Sequence, residues 1–117
     1  MKRLFCYLTL LVAGGLNAAE FDYGLKARQI APDVHVFVGR TEDFTPANGG
    51  NIVNTGFIVA PGGTIVIDSG SSRRYGEQMR QAIAGISPKS VALVINTHHH
   101  PDHFLGNQAF ADTPIAA

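Results

Sequence analysis

Two short, continuously apolar runs place the strongest constraint on how this chain can fold. They span residues 64–67 and 91–95, and neither alternates apolar with polar residues. Such runs predict strands that are buried on both faces. Between them, apolar side chains recur with helical spacing, at Tyr75, Met79, Ala82, Ile83 and Ile86. A strand–helix–strand crossover implies parallel pairing, and doubly buried strands need cover on both sides, so we predict a layered α/β fold.

The remaining elements follow from local signals. Residues 34–38 and 52–59 are β-rich, and a Pro-Gly-Gly turn at 60–63 joins the second of these runs to the strand at 64–67 as a hairpin. The serines at 69, 71 and 72 are candidate N-caps for the helix, which Gly85 and Pro88 end. Phe104, Leu105, Ala109 and Phe110 suggest a second, short helix, and residues 114–117 the start of another strand.

The first nineteen residues have the order of a secretory signal peptide. Lys2 and Arg3 precede an apolar run at 4–12, and small residues follow up to Ala19. A retained N-terminal anchor is the alternative, although the apolar run is short for a membrane span. We expect a signal peptide at 1–19, an N-terminal extension at 20–33 and one domain over 34–117. The mature protein is then periplasmic or secreted, and it has no membrane segment after cleavage.

Composition narrows the function. Nine basic residues balance nine acidic ones without a basic run, which argues against nucleic acid as a partner. A hydrophobic content of 45% suits a globular core. Cys6 is the only cysteine and lies in the predicted signal peptide, so a mature chain has no thiol for a disulfide or a Cys-based zinc site. Any metal site must therefore use histidine and carboxylate ligands.

Four of the five histidines fall in one short loop, directly after the apolar run at 91–95. The carboxyl ends of buried strands are where sites gather in layered α/β proteins. In an extended segment, side chains two residues apart point the same way, so His98 and His100 should converge while His99 points away. His35 lies alone on a predicted strand, where a half-exposed polar position is a better interpretation than a ligand role.

The residues after His100 extend this set. Pro101 keeps His100 out of the helical region, and a turn after it can bring Asp102 and His103 back toward the same space. Three imidazoles and one carboxylate suit zinc, and also iron or manganese. The alternative is adventitious metal binding by a triple-histidine tract. A designed pair of metal sites would polarise a substrate oxygen and hold a hydroxide near neutral pH.

Residues 97–103, Thr-His-His-His-Pro-Asp-His, resemble the Thr-His-x-His-x-Asp-His signature of the metallo-β-lactamase superfamily. The run Ile-Val-Ile-Asp-Ser-Gly at 65–70 is similar to its Asp-bearing strand end. The resemblance implies the N-terminal half of an αββα sandwich and a metal-dependent hydrolase with two zinc ions, a small-molecule substrate and a metal-held hydroxide as nucleophile. The loop at 48–56 and the Gly106-Asn107 pair are more similar to periplasmic metallohydrolases associated with quinoprotein and sulfur-oxidation systems.

Carried over by position, the resemblance assigns a role to each residue of the motif. His98 and His100 are ligands of the first metal, and Asp102 and His103 are ligands of the second. Asp102 is also the catalytic residue, which orients the nucleophilic water or accepts its proton. Asp68 is the carboxylate that holds the metal loop by hydrogen bonds; a turn residue before the helix is the alternative interpretation.

The superfamily places a further histidine for each metal, and a bridging aspartate, downstream of this motif. No histidine follows His103, and Asp112 is too close behind it to be the bridging residue. We therefore expect this chain to be the N-terminal part of a hydrolase and to be inactive alone. Two other functions stay open: a β-lactamase, and a non-enzymatic exported domain that binds metal or a quinoprotein partner.

Overall fold

A computed structural model describes residues 20–117. The predicted signal peptide at 1–19, its cleavage site and Cys6 lie outside the described residues. Six strands form one sheet: β1 (Arg28–Ala31), β2 (Val34–Phe37), β3 (Thr55–Ala60), β4 (Gly63–Ile67), β5 (Val91–Ile95) and β6 (Ile115–Ala116). The helices are α1 (Arg73–Ala84), α2 (Pro101–Phe104) and a 3-10 helix (Leu105–Phe110).

The sheet follows chain order and changes from antiparallel to parallel pairing at its centre. Strands β1 to β4 form an antiparallel meander, and β5 and β6 then add in parallel. The parallel pairing of β4 with β5 across α1 confirms the predicted crossover, and the mixed α/β architecture confirms the predicted fold class. The strand predicted after residue 113 is present as β6.

Helix α1 begins and ends where its capping residues predict. Ser72 is the N-cap, and its hydroxyl accepts a hydrogen bond of 3.0 Å from the Tyr75 N–H. The buried side chains of the helix include Tyr75, Met79 and Ile83, as the spacing predicts. The assignment of Ile86 to the same core stripe is wrong, since Ile86 is 46% exposed. The helix ends at Ala84, so the helical periodicity no longer aims Ile86 at the core.

The core lies on one face of the sheet. Phe57, Val66 and Val94 stand in register across three strands and are buried against α1 and the 3-10 helix. The opposite face carries a second apolar row, Ile58–Ile65–Leu93, which is only half-buried. The predicted burial of both faces is therefore met on one face only, because the buried core of residues 20–117 lies on the other side of the sheet from this row.

The predicted N-terminal extension, residues 20–33, contributes to the sheet. It contains β1, to which the sequence analysis assigned no strand, and β1 pairs with β2. Tyr23 anchors the segment before β1: its hydroxyl lies 2.7 Å from Ser72 Oγ, and its ring centroid lies 5.0 Å from that of Tyr75. Within the described residues, no helix is long and apolar enough to cross a membrane.

The strand directions bring several loops to one edge of the sheet. Strands β2, β4 and β5 run the same way, because two antiparallel pairings separate β2 from β4 and β5 is parallel to β4. Their carboxyl ends therefore share an edge. The loop at 38–54, Asp68 and the histidine loop follow these three ends, and the histidine motif thus lies at the edge where layered α/β proteins place their sites.

Candidate metal centre

Asp68 is a buried polar residue whose carboxylate holds the histidine loop by hydrogen bonds. It follows β4 directly and has a φ of 57°, in the left-handed region that aspartate adopts more readily than most residues. Its backbone N–H donates to the Ile95 carbonyl at 2.8 Å, which extends the pairing of β4 with β5 by one residue. The residue is 3% exposed, so its carboxylate needs internal hydrogen-bond donors.

Three donors from the histidine loop meet the Asp68 carboxylate. Oδ1 accepts from the Thr97 backbone N–H at 2.7 Å. Oδ2 accepts from the Thr97 hydroxyl at 2.8 Å and lies 2.7 Å from His103 Nδ1. These bonds link the start of the histidine loop to its end through one side chain. When His103 Nδ1 donates to Asp68, Nε2 is the nitrogen that remains for a metal ion.

Backbone contacts hold the same two segments together. The His103 carbonyl accepts from the N–H groups of Ser69 at 2.8 Å and Gly70 at 3.2 Å. The Ser69 hydroxyl donates to Asn107 Oδ1 at 2.7 Å, and the Gly106 N–H donates to the Gly70 carbonyl at 2.9 Å. The segment after β4 therefore serves as a template on which the end of the histidine loop is fixed.

Gly106 allows the 3-10 helix to lie very close to the segment after β4. A Cβ atom at Gly106 would lie 2.0 Å from the Ser69 carbonyl oxygen. Gly76 of α1 also packs closely against Gly106, since a Cβ atom at Gly76 would lie 2.5 Å from the Gly106 carbonyl oxygen. From the sequence, Gly106 and Asn107 were interpreted only as a subfamily signal, and the role of Ser69 was not predicted. The Gly-Asn pair three residues after the motif was the available signal.

Arg80 fastens the far end of the 3-10 helix to α1. Its guanidinium donates to both carboxylate oxygens of Asp112, at 2.6 and 3.1 Å, and to the Ala109 carbonyl at 2.9 Å. It also lies 5.3 Å from the centre of the Phe110 ring. The hydrogen bonds from Arg80 lower the pKa of Asp112 to about 2. Asp112 is thus engaged in a structural pair, away from the histidines.

The imidazoles of the motif lie close to one another. The ring centroid of His98 is 4.0 Å from that of His103 and 4.7 Å from that of His100. His100 has extended backbone, with a ψ of 135°, as expected before Pro101, which opens α2. His99 lies next to this group, its ring centroid 5.3 Å from that of His100. Asp102 is half-buried in the first turn of α2.

The donor set suits a metal ion by chemistry. Three imidazoles and a nearby carboxylate are the ligands that zinc takes in thiol-free sites. Among residues 20–117, however, no three histidine, aspartate or glutamate side chains stand in metal-holding geometry. The rings instead pack against each other. The ligand roles of His98, His100, Asp102 and His103, and the role of Asp68 toward a bound metal, therefore stay predictions.

A cleft of about 320 Å³ adjoins the histidine loop. A larger cleft, of about 650 Å³, lies between the N-terminal segment and α1, away from the histidines. Of these two clefts, only the smaller one borders the histidine motif. Its lining residues are Asn96, Thr97, His98, His99, Phe104 and Ala117.

Comparisons with known proteins agree with this arrangement. The sequence model of the Metallo-beta-lactamase superfamily matches residues 48–117. A metallo-β-lactamase from Erythrobacter litoralis has a similar fold, with a TM-score of 0.62 at 20% identity, over 82% of this chain and 42% of that chain. One from Cronobacter sakazakii gives a TM-score of 0.55 at 23% identity, over 78% of this chain and 33% of that one.

A linear primary-alkylsulfatase from Pseudomonas is also similar in sequence. It is 38% identical over 53 residues, which are 45% of this chain and 10% of the alkylsulfatase. This chain thus spans a small part of that relative and well under half of the two lactamases. The solved structures confirm the predicted N-terminal half of the αββα fold, while the finer subfamily assignment stays a prediction. With more than half of its residues matched by the superfamily's sequence model, the chain belongs to the metallo-β-lactamase superfamily.

Proposed function

We propose that this chain carries half of the metal centre of an exported, zinc-dependent hydrolase. The superfamily has a hydrolase fold, and one observation supports the proposal most directly. The imidazoles of His98, His100 and His103 lie together at the carboxyl end of β5, and the buried carboxylate of Asp68 holds the loop that bears them. A surface tract that binds metal adventitiously would not need a buried carboxylate to hold it.

The proposal gives each side chain a task. His98 and His100 would hold the first ion, and Asp102 and His103 would hold the second. Bound zinc would lower the pKa of a coordinated water and polarise a substrate oxygen. Iron or manganese could bind to the same nitrogen and oxygen ligands in place of zinc. Asp102 would orient the attacking water or accept its proton, and Asp68, by holding the proton on His103 Nδ1, would leave Nε2 as the nitrogen available to the ion.

The substrate is a small molecule. A primary alkyl sulfate is the second, narrower candidate, because the alkylsulfatase is 38% identical to this chain over 53 residues. A β-lactam is the competing substrate. A zinc-loaded protein that cleaves none of the substrates offered would instead support a non-enzymatic exported metal-binding or quinoprotein-partner domain.

Export is a separate part of the proposal and rests on residues 1–19 alone. N-terminal sequencing of protein from the periplasm should find a mature end near Ala19. An intact Met1 end on protein recovered from the cytoplasm would contradict it.

The test uses the longest gene product that contains this chain. Elemental analysis should find zinc, and hydrolysis of nitrocefin, a primary alkyl sulfate and a thioester should be measured with and without a chelator. His100→Ala should lower zinc content and hydrolysis together, whereas His35→Gln, on β2, should change neither. Hydrolysis that survives both chelation and His100→Ala would show that the histidine loop is not the site.

A further inference from the structure

The Thr97 hydroxyl lies between the Asp68 carboxylate and the first histidine of the motif. Its oxygen is 2.8 Å from Asp68 Oδ2 and 2.9 Å from His98 Nδ1. The same Oδ2 atom lies 2.7 Å from His103 Nδ1. Asp68 therefore reaches His103 directly and His98 through one intervening hydroxyl. The Thr97 backbone N–H, bound to Asp68 Oδ1 at 2.7 Å, holds the hydroxyl at this position.

The proton positions in this chain follow from the donor inventory. A hydroxyl has one proton to donate, and a carboxylate can only accept. If the Thr97 proton pointed to His98, the hydroxyl oxygen and Asp68 Oδ2 would face each other at 2.8 Å with no proton between them. The proton must therefore point to Asp68. The hydroxyl then accepts from His98, so His98 Nδ1 carries the ring proton and Nε2 carries the lone pair.

We propose that Thr97 is a positioning residue through which the Asp68 carboxylate, which sets the ring tautomer of His103 directly, also sets the ring tautomer of His98. The two are predicted ligands of different metal ions, His98 of the first and His103 of the second. In both rings the proton is held on Nδ1, and Nε2 is left as the ligand atom. The ligand assignment rests on the proposed function, whereas the tautomers do not. His98 is exposed, and the Thr97 hydroxyl is the hydrogen-bond partner of its Nδ1 atom.

The test reads the ring protons directly. Long-range proton–nitrogen NMR correlations of the metal-free, ¹⁵N-histidine-labelled chain show which nitrogen is protonated, at a pH where the imidazoles are neutral. In the wild type we expect the proton on Nδ1 in both His98 and His103. Thr97→Val keeps the shape but removes the hydroxyl, so His98 should move to the Nε2-protonated form that a free histidine side chain favours. His103 should stay unchanged and report that the loop is still folded.

Thr97→Ser is the matched control, because it restores the hydroxyl and should restore the wild-type tautomer of His98. An Nε2-bound proton on His98 in the wild type, or an Nδ1-bound proton that persists in Thr97→Val, would overturn the proposal. In the full gene product, Thr97→Val should also weaken binding of the first zinc by about 10-fold, the size typical for partners behind metal ligands. Thr97→Ser should restore that affinity, and a loss that serine does not rescue would count against the relay.

The two proposals can fail separately. If the protein binds no zinc but the tautomers behave as expected, the proposed function fails and the hydroxyl relay stands. If zinc binds and hydrolysis depends on it, but Thr97→Val leaves the His98 tautomer unchanged, the relay fails and the proposed function stands.

Discussion

Asp68 combines a backbone requirement with a side-chain requirement at one position. Its φ of 57° restricts the residue to glycine, asparagine, aspartate and few others, and only a carboxylate can accept from all three loop donors at once. From the sequence, Asp68 had two interpretations: a simple turn residue, and a carboxylate that holds the histidine loop. The structure shows a residue that satisfies both descriptions.

We expect Asp68→Asn to lower the free energy of unfolding by about 2 kcal/mol. Asparagine tolerates the same backbone, but its NH₂ group cannot accept from Thr97 Oγ1 or His103 Nδ1, so the hydrogen bonds to a charged carboxylate, worth about 1.5–3 kcal/mol each, are lost. Urea denaturation measures the change. Asp33→Asn is the matched control, because Asp33 has a φ of 60° and is exposed. Equal effects of the two substitutions would contradict the role of the buried carboxylate.

Tyr75 should make stability depend on pH at the alkaline end. Burial raises its pKa from 10.0 to about 12, and the hydrogen bond with Thr55, 2.9 Å long, opposes this shift only in part. Below pH 10 the phenol is protonated in the folded and unfolded chains alike. Above it the unfolded chain ionises first, so stability falls until about pH 12, by about 3 kcal/mol for a shift of two units.

Comparison with Tyr75→Phe isolates this contribution. Phenylalanine has no proton to lose, so the variant, although less stable at neutral pH, should lack this part of the alkaline decline. Thermal or urea unfolding at a series of pH values measures the difference. Parallel declines in the two proteins would show that the Tyr75 phenol is not the cause.

At the scale of elements, the crossing of the segment after β4 with the 3-10 helix decides where the histidine loop lies. The two backbones approach so closely that one added methyl group cannot fit at Gly106. Two sets of hydrogen bonds stabilise this contact: the Ser69–Asn107 bond, and the bonds from Arg80 to Ala109 and Asp112 at the end of the 3-10 helix. Helix α1 thus supports the loop without contributing a predicted ligand.

Gly106→Ala should therefore destabilise the fold by about 1–3 kcal/mol, the usual cost of overpacking. It should also separate the Ser69 N–H from the His103 carbonyl, which faster amide hydrogen exchange at Ser69 and Gly70 would report. Gly62→Ala is the control, because a Cβ at Gly62 meets no atom within 4 Å. Similar exchange rates in the two variants would refute the close-contact argument.

At the scale of the whole molecule, the described residues form a sheet of which one face is covered by the buried core. The row Ile58–Ile65–Leu93 stays half-buried on the other face. The chain covers 33% and 42% of the lactamase chains compared above. The motif also provides only two predicted ligands for each metal ion, whereas a catalytic zinc usually has three protein ligands.

Residues 20–117 alone should therefore bind zinc weakly and hydrolyse none of the substrates offered to the full gene product. Calorimetric zinc titration of this segment, beside the full gene product, measures the difference. Tight binding of two zinc ions by the segment would show that the motif forms a complete site without further residues.

Some elements could be predicted because their signals are local. The strand at 91–95 matches β5 residue for residue, and Ser72 and Gly85 mark the ends of α1. Other elements depend on distant partners. Strand β1 consists of exposed residues without alternation, and only its pairing with β2 makes it a strand. The strand predicted to begin at Ile52 begins at Thr55, where β3 meets its partner Phe37.

By itself, the sequence determined the chemistry: which residues carry nitrogen and oxygen donors, and that they follow a strand after a helical crossover. These properties depend on residue type and short-range spacing, which are written in the chain. The tertiary structure decided the rest. Asp68 and His103 are 35 positions apart, and Ser69 and Asn107 are 38 positions apart. No local sequence pattern predicts that either pair forms a hydrogen bond. Only the parallel alignment of β4 with β5 brings their segments together, and with them the hydroxyl of Thr97 between a carboxylate and an imidazole.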